Sequence, residues 1–254
     1  MAYPIRTREQ DGATVVTLDD GKANTLGPEM VTGLGAVAEE LARGTGPVIL
    51  TGAGRFFSAG LELGAVMAME RELLGQFLDR FESMAVTWFT MNRPVIAAVN
   101  GHAIAGGAIL ALMADFRIAA RGEWKMGLTE VPLGIPFPAS ALELTRFAVN
   151  PSHVSRVFLA GELFAPADAM AAGLLDRVVE PDELLPAALA LAAQVGKSPG
   201  AAFRVTKHAL RAPAATRYRH ERERHRDSFL TGLFDPVVRA HLQATIDAMK
   251  SKKK

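Results

Sequence analysis

The sequence predicts an α/β fold with crossover connections, continuing into a helical C-terminal portion. Short buried-type strands, Val48–Thr51 and Val95–Val99, alternate with segments whose apolar residues recur at helical spacing. After Pro138 the helical signal dominates, and Asp176–Val179 is the last strand candidate. Strands and helices that alternate in this way pack as a mostly parallel sheet covered by helices.

Taken in order, Ile5–Arg8 and Thr14–Leu18 are strand candidates, and Asp11-Gly12 between them predicts a hairpin. The turn Asp19–Asn24 leads to Gly27-Pro28, where proline opens a helix without losing a backbone bond. Met30, Leu34, Val37, Ala38 and Leu41 give that helix one apolar face, and Gly44 stops it. Gly52-Ala53-Gly54 closes the strand Val48–Thr51, and Arg55–Leu63 (RFFSAGLEL) reads as an apolar loop. Leu73, Leu74, Phe77, Leu78, Phe81, Met84 and Ala85 then fall at core spacing on a helix that Asn92-Arg93-Pro94 ends. Beyond the strand Val95–Val99, Gly106–Ala114 reads as a helix, Phe116–Ala119 as a strand and Trp124–Met126 as a further candidate. Helical segments near 139–147, 151–160, 166–172, 184–196 and 201–211 are separated by Pro or Gly, and from Pro199 onward the pattern is all helix. A core over 1–198 and a helical region over 199–254 follow.

Composition narrows the function. The 254 residues are 49% hydrophobic and 22% charged, enough for one large globular unit. Lys and Arg number 28 against 27 Asp and Glu, a net charge of +1, so no nucleic-acid partner is expected. Cysteine is absent, which excludes disulfides and thiolate metal sites. No apolar run reaches membrane-spanning length and MAYPIRTREQDG has no hydrophobic signal core, so a soluble cytoplasmic protein is expected. His220 and His225 are five residues apart, where a helical metal pair needs four, and no metal is expected. His102 fits either a packed, hydrogen-bonded side chain or polar lining of a site.

The chemistry concentrates in Val95–Pro138. Ala105-Gly106-Gly107-Ala108 opens a helix after a buried strand, where unpaired N–H groups and a partial positive charge suit a developing oxyanion. Gly-Gly equally suits close helix packing. Phe57-Ser58-Ala59-Gly60 is a second turn of small residues, able to offer another amide or to serve as an ordinary tight loop. Glu130 lies in Gly127-Leu128-Thr129-Glu130-Val131; apolar surroundings raise a carboxyl's pKa toward that of a general base, and the alternative is a surface glutamate.

Gly21–Asn24, Phe56–Leu63, RPVIAAVNGHAIAGGA at 93–108, GLTEVPLG at 127–134 and LAGELFAPADAMAAGLLDRVV at 159–179 together resemble the crotonase superfamily, the enoyl-CoA hydratase/isomerase family. The resemblance implies a spiral of ββα repeats with a C-terminal helical trimerisation region and assembly as a homotrimer or hexamer. It implies an acyl-CoA thioester as substrate, with no cofactor beyond that coenzyme A. The amides of Ala59 and Gly106 would form the oxyanion hole. Phe57, Gly60, Leu61, Glu62 and Gly107 would line the substrate, with Lys22, Ala23 and Asn24 bordering the CoA. Hydratases of this family carry two glutamates, at the positions of Ile109 and Glu130 here. Only Glu130 is present, so the expectation is an isomerase that shifts a 3-enoyl thioester to the 2-enoyl form. A hydratase, and a non-catalytic acyl-CoA- or RNA-binding protein using Arg217–Arg226 and Lys252–Lys254, are the alternatives.

Overall fold

The structure, a computed structural model, describes residues 3–197 and 200–251. Lys252–Lys254, and the boundary at 198/199, lie outside the described residues. The chain winds through repeats of two strands and a helix. The first is the hairpin β1 (Ile5–Gln10) and β2 (Ala13–Leu18) with α1 (Pro28–Ala42). Asp11 and Gly12 both take positive φ, 49° and 78°, as a tight hairpin turn matched to strand twist requires. The second repeat is β3 (Val48–Gly52), β4 (Phe56–Ser58), α2 (Leu63–Ala68) and α3 (Arg71–Thr90). The third is β5 (Val95–Val99), β6 (His102–Ile104) and α4 (Gly106–Leu112), and the fourth β7 (Phe116–Ala120), β8 (Met126–Gly127) and α5 (Ala139–Thr145). Then follow α6 (Pro166–Ala171), β9 (Arg177–Val179), α7 (Leu184–Gly196), α8 (Gly200–Phe234) and α9 (Pro236–Ser251).

Each of the last three repeats gives its first strand to one sheet and its second to another. The large sheet has the order β1-β2-β3-β5-β7-β9, parallel from β2 onward, and the small parallel sheet is β4-β6-β8. Strands of a parallel sheet are covered on both faces, and Val95–Val99 is buried at every residue. Ile49, Ile96 and Ile118 point to the face packed by Leu184, Ala188 and Ala192 of α7. Val48, Leu50, Val95 and Ala97 point into the main core with α1 and α3. Ala214, Tyr218, Phe229, Leu230, Leu233 and Leu242 of α8 and α9 join that same core.

Four local features differ from the sequence pattern. β4 and β6 have three residues each, too few for a period of two to stand out, and β4 lies inside the apolar loop at 55–63. Leu73 is exposed, because α3 turns its core face through Leu74, Phe77, Leu78 and Phe81. The segment 151–160 is a 3₁₀ turn (Pro151–His153) and a π-helical turn (Ser155–Leu159) instead of an α-helix; the Ala160 amide reaches the Ser155 carbonyl, five residues back. Finally, α8 runs through Pro213, which forfeits one helical bond.

What carries α8 past that proline is a buried ionic anchor. Asp115, after α4, accepts Lys207 Nζ at 2.7 Å, Arg211 Nη2 at 2.8 Å and the Val95 amide at 2.8 Å. Lys207 also donates to the Arg93 carbonyl at 2.9 Å, and Arg211 to the carbonyls of Met113 and Ala114 at 2.9 and 3.0 Å. The Arg211 guanidinium stacks 4.3 Å over the Phe89 ring. Burial pulls Lys207 down to about 8, with Asp115 opposing the fall and Arg211 adding to it. Asp115 thus balances two buried cations. Asp115→Asn leaves both uncompensated and should cost about 3–5 kcal/mol, measured as a lowered urea midpoint. Lys207→Met, which leaves the Asp115–Arg211 pair, should cost less.

Candidate active site

Glu130 stands on the turn that follows β8. Its carbonyl accepts the amides of Leu133 and Ile135 at 3.1 and 2.9 Å, and Gly134 takes φ +76° to close the turn. The chain folded back in this way carries the side chain inward: Glu130 is 6% exposed and its Oε2 has no hydrogen-bond partner. It faces a narrow slot walled by Phe77, Leu78 and Phe81 of α3, Ile109 of α4, Ile135 and Pro138 of the connecting loop, and Phe229 of α8. Leu61 and Gly106 complete the lining, and the free space is only about 20 Å³, the room of about one water. Burial pushes the Glu130 carboxyl up to about 7, a hydrogen bond from its own amide offsetting part of the rise. A group with that value is half ionised at neutral pH and takes up or releases a proton readily.

Two turns meet beside it. Strand β4 pairs with β6, Ser58 opposite Ala103, and this sets the segment 58–61 against the start of α4. The fit is backbone to backbone. A Cβ on Gly107 would stand 2.1 Å from the Ser58 carbonyl oxygen, and one on Gly60 2.6 Å from the Ile104 oxygen and 2.9 Å from the Gly106 nitrogen. Before α4, Ala105 takes φ +49°, a conformation that costs a non-glycine residue on the order of 1–3 kcal/mol. Two bonds fix it there: its amide to the Gly127 carbonyl at 2.8 Å and its carbonyl from the Ile109 amide at 3.0 Å.

The amide nitrogens of Leu61 and Gly106 have no acceptor among the described residues. They are neighbours: the position a Cβ of Gly106 would occupy is 3.5 Å from the Leu61 nitrogen. The Ala59 amide is not available to them. It donates to the Ala23 carbonyl at 2.9 Å, while Gly60 donates to Ser58 Oγ at 3.2 Å. The amide that the resemblance assigns at Ala59 is thus already bonded, and the amide that stands free beside Gly106 is that of Leu61, two residues along, because the Asp20–Asn24 loop engages the first part of the turn.

That loop is held by two side chains. The Asp20 carboxylate accepts the amides of Lys22, Asn24 and Thr25 at 2.7–2.9 Å. Burial raises its pKa, but these bonds outweigh that and hold it below the ordinary value. Asn24, expected beside the CoA, is 1% exposed; its Nδ2 donates to the carbonyls of Ala53 and Phe56 at 3.1 and 2.8 Å, and its carbonyl accepts Ser58 Oγ at 2.6 Å. Asn24 shapes the turn from below. Phe57 is likewise wholly buried in the core and lines no slot. Lys22 and Glu62 are exposed and share a groove of about 450 Å³ with Gly27, Pro28 and Met30; Ala23 is half-buried beside it. Gly107 is spent on the contact with Ser58.

Elsewhere, His102 packs 5.1 Å from the Phe56 ring and accepts the Lys125 amide at 3.2 Å, away from the slot. Four of the five arginines of the run at 217–226 are ion-paired: Arg217 with Glu143 at 2.7 Å, Arg222 and Arg226 with Asp79 at 2.9 and 3.2 Å, and Arg224 with Glu221 at 2.6 Å. The ring walls Phe77, Phe81 and Phe229 carry no sequence signal that separates them from core residues. No helix among the described residues is long and apolar enough to cross a membrane.

The sequence model of the enoyl-CoA hydratase/isomerase family matches residues 8–249. A putative enoyl-CoA hydratase of Thermus thermophilus is 36% identical over 209 residues, 80% of this chain and 81% of its own. The mitochondrial enoyl-CoA delta isomerase 1 of Homo sapiens is 26% identical over 246 residues, 95% of this chain and 82% of its own. Among solved structures, human mitochondrial delta3-delta2-enoyl-CoA isomerase superposes with a TM-score of 0.92 at 27% identity, covering 99% of this chain and 100% of that one. All of these are named as enzymes of enoyl-CoA chemistry, and the names divide between hydratase and isomerase. With its paired sheets, its facing turns and a match along nearly its whole length, this chain belongs to the enoyl-CoA hydratase/isomerase family.

Proposed function

We propose that the protein moves the double bond of a 3-enoyl-CoA thioester into conjugation, with Glu130 as its single acid–base group. The observation that carries this reading is Ile109. It lines the same slot as Glu130, and among the described residues no second carboxylate lines that slot. Hydration needs a positioned water, and a double-bond shift needs only a base that returns the proton it took.

In this reading Glu130 removes a proton from C2 of the substrate. The electrons of the broken C–H bond form a dienolate, whose negative charge rests on the thioester oxygen between the amides of Leu61 and Gly106. Each such donor contributes on the order of 2.7–4 kcal/mol in a water-poor site. The protonated Glu130 then delivers the same proton to C4, and the double bond comes to rest between C2 and C3. Ile109 and the ring walls keep water from the intermediate. Lys22, Ala23 and Glu62 border the groove that takes the CoA portion, and Asn24 holds their loop in place. The second reading, a hydratase with one carboxylate, is favoured by the name of the Thermus thermophilus relative.

Glu130→Gln should lower kcat/KM for 3-enoyl-CoA isomerisation by at least about 10²-fold, followed by the absorbance of the conjugated thioester; undiminished activity sinks the assignment. Because the working form is the carboxylate, kcat/KM in the wild type should fall about tenfold per pH unit below about 7 and level off above it. Ile109→Glu should raise hydration of 2-enoyl-CoA relative to isomerisation, and a wild type that hydrates as fast as it isomerises favours the second reading. Gly106→Ala would put a methyl in front of the Leu61 amide and 3.0 Å from Leu26 Cδ1. A fall of about 10²-fold in kcat/KM with little change in melting temperature is the expected result.

A further inference from the structure

The peptide between Ala59 and Gly60 is held at a single point. Its N–H, on Gly60, donates to Ser58 Oγ at 3.2 Å, and among the described residues no donor reaches its carbonyl, on Ala59. The peptides on either side are tied by main chain instead. The Ala59 amide donates to the Ala23 carbonyl at 2.9 Å, and the Gly60 carbonyl accepts the Leu26 amide at 2.8 Å. Between those two ties lies Gly60 itself, at φ +82°, and glycine resists rotation less than any other residue. The Ser58 hydroxyl is the restraint on this one soft link.

Ser58 is wholly buried, and its Oγ–H donates to the Asn24 carbonyl at 2.6 Å. A carbonyl only accepts, so the single hydroxyl proton is committed there and a lone pair is left for the Gly60 N–H. With its proton on a carbonyl rather than on a base, the hydroxyl is not an activated nucleophile. Asn24 is itself a firm anchor, since its Nδ2 donates to the carbonyls of Ala53, Phe56 and Phe57 at 3.1, 2.8 and 3.3 Å. The relay thus runs from a fixed carbonyl, through one hydroxyl, to the Gly60 amide.

What the relay controls is the next amide along. In a planar trans peptide the C=O and the N–H point to opposite sides. The Leu26 bond holds the Gly60 carbonyl to one side, so the Leu61 N–H is turned to the other, where it has no acceptor among the described residues. Gly60 is also the residue on which Gly106 closes: a Cβ there would stand 2.9 Å from the Gly106 nitrogen. Rotation at Gly60 therefore turns one of the two free donors and alters its separation from the other.

We propose that Ser58 is a positioning residue of the oxyanion hole, whose hydroxyl, joining the Asn24 carbonyl to the Gly60 amide, keeps the Leu61 N–H on the thioester oxygen. This rests on that oxygen lying between the amides of Leu61 and Gly106. It goes beyond the isomerase reading, because it holds for any reaction that places negative charge on the same oxygen. Ser58 acts wholly through the main chain.

The test is the carbonyl stretch of a bound thioester. Butyryl-CoA, isotopically labelled at its carbonyl carbon, has no double bond and binds without reacting, and infrared difference spectra isolate its band. An amide that donates to the thioester oxygen weakens the C=O bond and lowers the frequency. The band should fall on binding to the wild type, and Ser58→Ala should lose at least about half of that fall. Affinity for butyryl-CoA should change less than about threefold, while kcat for but-3-enoyl-CoA drops about tenfold at a KM held within about twofold. Ser58→Cys, a weaker donor and acceptor of similar shape, should lie between the two. A role in packing alone predicts the reverse pattern, a lowered melting temperature with the band and kcat of the wild type. That pattern overturns the proposal, as does a band that fails to fall in the wild type. If Ser58→Ala does not fold, Ser58→Cys takes its place, and an unaltered band there is equally fatal. A wild type that lowers the band but does not isomerise but-3-enoyl-CoA refutes the isomerase reading and leaves the role of Ser58 standing.

Discussion

Everything at this site depends on two turns that touch backbone to backbone. Ser58–Leu61 and Ile104–Gly107 come from different repeats, 46 residues apart in the chain by their first members, and no side chain fits between them. Their contact follows from the β4–β6 pairing, which in turn follows from each repeat sending its second strand to the small sheet. The consequence is that two amides, of Leu61 and Gly106, are left facing one space with nothing to bond. Strain at Ala105 is part of the same construction, because the αR or β conformation there would turn Gly106 elsewhere. A site made of main-chain groups is rigid at no cost in side-chain entropy, and rigidity is what preorganised stabilisation of charge requires.

The helical C-terminal region is a structural wall of that site as well as an appendage in sequence. Phe229 reaches the slot from α8, and α8 stays in register through Pro213 because Lys207 and Arg211 are tied to Asp115 on one side of it. On the other side Ala214, Ala215 and Tyr218 are buried against the core. The ion cluster therefore helps set where an aromatic ring stands in the wall of the slot that Glu130 faces.

Much of this was legible in the residues. The hairpin at Asp11-Gly12, the buried strand Val95–Val99, the helix opened by Gly106 and the lone carboxylate at Glu130 all have local signals, and all are where those signals put them. The donor beside Gly106 was not legible. Ala59 and Leu61 lie in one apolar turn, and only the Ala23 carbonyl, which takes the Ala59 amide, separates them. The resemblance puts Asn24 at the CoA border, and no local signal shows that its amide group is taken up by the carbonyls of Ala53, Phe56 and Phe57. Glu82 gave no sign of its burial, since a glutamate amid apolar positions of an amphipathic helix looks like its solvent face until α5 and α8 are seen to cover it.

The isolation of Glu130 has a thermodynamic side. In the unfolded chain its carboxyl titrates near 4.5, and in the folded one near 7. Between those values the folded state keeps a proton that the unfolded state has released. Folding is therefore aided at low pH and loses ground as pH rises through that window, by up to about 3 kcal/mol once the group is ionised in both states. That is a large part of the margin of a typical domain. The apolar shell that raises this carboxyl thus makes its own contribution to folding least favourable where the group is ionised, and any ligand that binds only the folded slot shifts that balance back by mass action.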